Sequence, residues 1–135
     1  MYQVTRRNKI VEELQLLHHN GDLALSVTVD LNTDEIAGKV NVVNEKIQLA
    51  RIALNKEQPD ENAGAEAWDA MMELFHLIFG EENTEKLLTF YEGREAEMVV
   101  DILPFIVHEI MPRITEAVEA RKAQILAMFK GGGNA

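Results

Sequence analysis

The residues whose types and spacing could do chemistry are two acid–imidazole groups and one run of neighbouring acids. Glu73 and His76 stand three apart. That Glu-x-x-His spacing, used twice on facing helices with two further inward glutamates, builds di-iron carboxylate sites. The second copy is missing, because the residue three before His108 is Phe105. The ligand count therefore fails, no metal is expected, and His76, between Phe75 and Leu77, reads as a core or boundary histidine. His18 and His19 flank the Asn20-Gly21 turn with Asp22, but neighbours on a strand point to opposite faces and cannot readily share one ion. Glu97 and Asp101 lie one helical turn apart, and Glu109 follows His108. Paired carboxylates separate their pKa values for acid–base work when a cleft buries them. Here they fall among many acids on amphipathic helices, where exposure to solvent is expected.

Other chemistries are excluded by what the chain lacks. There is no cysteine, hence no disulfide, thiolate nucleophile or cysteine-bound zinc. Ser26 is the one serine, and no nucleophile elbow surrounds it. Gly131, Gly132 and Gly133 precede no helix that could cradle a phosphate. No catalytic residue and no cofactor are expected. The formal net charge of −10 is uneven. Residues 1–9 carry +3, from Arg6, Arg7 and Lys9, and residues 56–97 carry −9. A nucleic-acid binder needs a basic stripe to displace counterions, so neither nucleic acid nor an anionic lipid surface suits this balance. Arg6, Arg7 and Lys9 read as a solvated leader. No apolar run approaches the roughly 20 residues of a membrane span, and no secretory signal follows the N-terminus. A soluble, cytoplasmic protein is expected.

The elements that must position these residues come in two periods. Between Leu23 and Leu31 every odd residue is apolar, which predicts a strand; Lys9 to Leu17 alternates less perfectly, with Glu12 sharing a side with Ile10, Leu14 and Leu16. Asn20-Gly21 between them predicts a hairpin over 9–31 with a tight turn whose central residues accept positive φ. From Ile36 the apolar residues fall at Val40, Val43, Ile47, Ala50 and Leu54, one face of a helix over 33–54 capped by Asn32. A linker with Pro59 follows. Further helices are expected over 65–79, ended by Gly80; 84–92, stopped at Gly93; and 95–129, kinked at Pro104 and again at Pro112. The fold class is α+β: a hairpin packed with about four helices in one domain over 1–130, with a flexible tail over 131–135. Ile125, Met128 and Phe129 are expected to form a satellite cluster within the fold.

The remaining signal is apolar and adaptable. Met71, Met72, Phe75, Phe79 and Phe105 stand out in a Met- and Phe-rich stretch between residues 68 and 111, and core packing is the commoner use of such a stripe. Methionine-rich helical surfaces also fit varied apolar partners. Whatever stays exposed becomes a patch for partner helices or for self-association into a homo-oligomer. The opening KIVEELQLLHHNGDLALSVTVDLN (residues 9–32) and the helix after it resemble the tail assembly chaperones of long-tailed bacteriophages and prophages of Gram-positive bacteria. The stretches Phe79 to Leu88, Phe90 to Gly93 and Asp101 to Ile106 resemble them too. The resemblance is one of layout and covers most of the chain. It implies a non-enzymatic protein that binds the tape-measure protein and helps tail-tube subunits assemble around it. Met71, Met72, Phe75, Phe79 and Phe105 are then the partner-binding candidates. A structural component of the phage particle and a small metal-binding enzyme remain as alternatives.

Overall fold

A computed structural model describes residues 1–3, 9–58 and 61–133. Arg6 and Arg7 of the basic leader, Pro59 of the linker, and Asn134 and Ala135 of the tail lie outside them. Strand β1 (Lys9–Leu17) pairs antiparallel with β2 (Leu23–Asn32), setting Ile10 opposite Leu31, Leu14 opposite Val27 and Leu16 opposite Leu25. Alternation decides the two faces. Ile10, Leu16, Val27, Val29 and Leu31 point into the core, while Lys9, Val11, Glu13, Gln15, Ser26 and Thr28 face solvent. The flaw in β1's alternation has a partner. Glu12, on the inner face opposite Val29, forms an ion pair with Arg113, 101 residues on. The hairpin stands as expected, but its turn differs. The His18 carbonyl accepts from Gly21 N–H (2.9 Å) and His18 N–H donates to the Asp22 carbonyl (2.7 Å), so the loop is residues 18–22. Gly21 alone in it takes positive φ (92°). Asn20 instead accepts the Asp22 N–H with its side-chain oxygen at 3.0 Å. The register shift at Leu16/Leu17 makes room for this wider loop.

Helix α1 (Thr33–Leu54) starts where the Asn32 side chain accepts from Asp34 N–H at 3.0 Å and Glu35 N–H at 3.4 Å. It buries Ile36, Val40, Val43 and Ala50. Helix α2 (Ala63–Phe90) covers both of the next two expected helices. It breaks within at Gly80, whose φ of 80° and ψ of 167° are not helical. The buried Thr84 hydroxyl donates to the Gly80 carbonyl at 2.6 Å, tying the first turn of the second segment to the break. The far end closes with two bonds, Gly93 N–H to the Leu88 carbonyl (2.9 Å) and Glu92 N–H to the Thr89 carbonyl (3.0 Å). This is a Schellman ending. The residue forced left-handed at its key position is Glu92 (φ 54°), with Gly93 following at φ 79°.

The last stretch consists of α3 (Glu95–Phe105), a π-helical segment (Ile106–Ile110) and α4 (Met111–Gly133), with no intervening turn. The long last helix stands as expected, and between Pro104 and Pro112 its helical register changes through the π-helical segment. Ile102, Ile106, Ile110 and Ile114 recur every four residues, and all four are buried. In an α-helix each step of four rotates the side chain about 40° past a full turn, so the fourth isoleucine would face away from the first. The wider i→i+5 turn, seen in the Met111 N–H bonded to the Ile106 carbonyl, offsets that drift. The helix also continues through Gly133, so positions 131–133 of the expected tail are helical.

Two substitutions test the backbone account. Gly80→Ala meets no atom within 4 Å, so its cost is conformational alone. It should destabilise by about 1–3 kcal/mol, because φ and ψ there suit only glycine. Glu92→Gly should stabilise by about 0.5–1 kcal/mol by relieving a left-handed side-chain clash, net of added chain freedom. Urea midpoints at constant m-value read both.

Candidate functional site

A cleft of about 920 Å³ lies where the hairpin loop meets the junction of α2 and α3. Leu17, His18 and His19 form one wall; Phe90, Tyr91, Arg94, Glu97 and Asp101 form the other. The Schellman ending of α2 turns Tyr91 inward. Its ring meets Phe90 edge-on with centroids 5.1 Å apart, and its hydroxyl donates to the Asp101 carboxylate at 3.0 Å. Burial above all, then the hydrogen bond and charge of Asp101 and the charge of Glu97, push the Tyr91 phenol well above its ordinary value. Arg94 pairs with Glu97 at 3.3 Å and donates from Nε to the Tyr91 carbonyl at 3.2 Å. The cleft thus gathers His18, His19, Glu97 and Asp101, but one carboxylate is engaged by Arg94 and the other by Tyr91. Among the described residues, no three His, Asp or Glu side chains are arranged to hold a metal ion. A phenol that keeps its proton into alkaline solution acts here as a clamp between α2 and α3.

Glu73 and His76 do not converge on one site. The Glu73 carboxylate is 3.1 Å from Lys46 Nζ on α1. His76 is exposed, beside Asp30, Glu35 and Lys39 in a smaller cleft, which corrects the core or boundary reading. Its neighbours Phe75 and Leu77 turn inward because residues one apart on a helix point about 100° apart. His108 and Glu109 are exposed on the π-helical segment.

The partner-binding candidates are placed differently from one another. Phe75 is fully buried and Phe79 is 5% exposed, their rings 5.7 Å apart, with Phe79 stacked on Phe105 at 6.2 Å. These two are core side chains, and as surface contacts they are corrected. Met71, Met72 and Phe105 are half-buried against the core. The exposed apolar side chains lie elsewhere. Val100 (72%) and Val107 (46%) flank exposed Pro104 and half-buried Leu103 along α3 and the π-helical segment. Val42, Leu49 and Ile52 are exposed along α1, Leu49 bordering the groove against α2. Ile125, Leu126, Met128 and Phe129 stand out from the end of α4, the last two at 75% and 76% exposure, and form no satellite cluster. The spacing of seven and then three from Val42 to Ile52 was the available signal for the α1 face.

A hairpin backed by helices, with occupied carboxylates and several uncovered apolar stripes, defines a small α+β protein. Comparison with known families, curated proteins and solved structures finds no match. Among the described residues, no helix is long and apolar enough to cross a membrane.

The Tyr91 clamp carries a sign. Its folded-state pKa lies above the ordinary value, so its contribution is complete below about pH 10 and is lost as pH rises beyond that. Stability followed by urea midpoint should fall between pH 10 and 11.5, and Tyr91→Phe should flatten that fall while lowering stability at neutral pH.

Proposed function

We propose that the protein is a non-enzymatic interaction protein of the tail assembly chaperone kind. It shields an amphipathic helical segment of the phage tape-measure protein in the host cytoplasm while the tail tube assembles around that protein. The observation that carries this reading is the uncovered stripe of Val100, Leu103, Pro104 and Val107, beside half-buried Phe105. Single exposed apolar residues are ordinary on a protein surface, but a run at helical spacing offers a partner helix a continuous seam. π-helical turns often mark functional positions, and this stripe runs across one. The acidic balance supports the same role, since a strongly charged carrier keeps an apolar client dispersed. The layout that resembles such chaperones in residues 9–32 and 79–106 supplies the client's identity.

The test is co-purification with a phage tape-measure protein, the long helical client that this reading requires. The double variant Val100→Asp, Val107→Asp changes exposed positions only, so circular dichroism should show an intact fold. Client affinity should fall tenfold or more, since one desolvated carboxylate in an apolar contact suffices for that. Undiminished binding overturns the assignment of this stripe. Stoichiometric recovery of the protein in purified phage particles favours a structural component instead.

A further inference from the structure

Helix α4 outruns the body that holds it. Ile114 is buried and Met111 and Val118 are half-buried against the core, and Arg121 bonds Asp34 at the start of α1 at 2.7 Å. Beyond this tether every residue through Lys130 is exposed. Residues 122–133 project about 18 Å at 1.5 Å per residue. The stripe that binds the body does not stop with it: Arg121, Ile125 and Met128 continue the same face at alternating steps of three and four, with Phe129 beside them. Residues 121–130 hold three bases, Arg121, Lys122 and Lys130, and no acid, in a chain of net charge −10.

A surface of opposite character lies on the same molecule. The groove between α1 and α2, about 360 Å³, has buried Ala50 and Ala70 at its base and is flanked by exposed Leu49 and by Glu66, Asp69 and Glu73, with Lys46, paired to Glu73, the one base. Leu49 is 60% exposed there. In this structure the end of α4 is not in its own groove, because its side chains are open to solvent. We propose that the projecting end of α4 docks in the acidic α1/α2 groove of a second copy of this chain. Apolar residues meet Leu49 and the alanines, and bases meet the acids beside them. Two α4 ends packed on each other about a two-fold axis would instead set Lys122 of one against Lys130 of the other. An anionic membrane would attract the end of α4 but repel the acidic body. Because end and groove are different surfaces, the contact is head-to-tail, and it builds a ring where the rotation between copies closes and an open chain where it does not. The inference stands apart from the client reading, which uses the α3 stripe.

The absence of native cysteine makes the test direct. Met128→Cys and Leu49→Cys are prepared singly, both at exposed sites, and mildly oxidised alone and mixed. A disulfide-linked dimer should form in the mixture at least tenfold more than in either variant alone. Met128→Cys linking to itself as readily overturns the head-to-tail contact in favour of paired ends. A monomer by light scattering at about 100 µM, with no cross-link, overturns self-docking altogether, as does a monomer that binds vesicles of anionic lipid. Charge reversal supplies an independent readout: Lys122→Glu with Lys130→Glu should weaken association about tenfold, and mixing with Glu66→Lys, Asp69→Lys protein should restore it. Failure of the swap to restore association also counts against the groove.

Discussion

Four isoleucines one helical step apart must share one core, and the rest of the molecule follows from how the backbone allows it. Ile102, Ile106, Ile110 and Ile114 are each 3% exposed or less, although a uniform α-helix would carry them progressively round its axis. Burying a side chain of this size is worth about 1.5–3 kcal/mol, so turning even one to solvent costs more than one poorly formed turn. Pro104 and Pro112 remove two donors from the ladder at either side. The widened segment between them is where the backbone yields, and the burial wins.

That rod in turn makes the hairpin possible. Two strands alone are marginal in water. Here the inner face of β1 and β2 joins one core with Phe75, Ile78, Leu87 and Met98. Arg113, placed by the isoleucine register, meets the one carboxylate that β1 turns inward, Glu12. Both groups are about two-fifths exposed, so the pair does more for register than for stability. A one-residue slip of β1 would carry Glu12 away from Arg113 and turn Ile10 and Leu16 to solvent.

The acids that resembled a catalytic set are spent on positioning. Glu97 and Asp101 hold Arg94 and Tyr91, Glu73 holds Lys46, and Trp68 donates from Nε1 to Glu95 at 2.6 Å, tying the start of α2 to the start of α3. Spread in this way, charge separates the faces of the molecule, and the uncovered apolar side chains on α1, α3 and α4 become its distinctive surface.

The sequence by itself determined the elements whose cause is local. The odd-numbered apolar run of β2, the Asn32 cap with the stripe of α1, and the stop at Gly80 were legible, since period, capping and glycine's φ act within a few residues. So was the α+β class. Only the tertiary structure decided which stripe was core. Phe75 and Phe79 carry the same composition signal as Met128 and Phe129, yet the first pair is enclosed by α3 and the hairpin while the second extends past every neighbour. Likewise Pro104 reads locally as a kink, and only the distant core that needs Ile106 and Ile110 explains why the helix changes pitch there. Burial is a property of what lies opposite a side chain, and a single chain's periodicity names a face without naming what covers it.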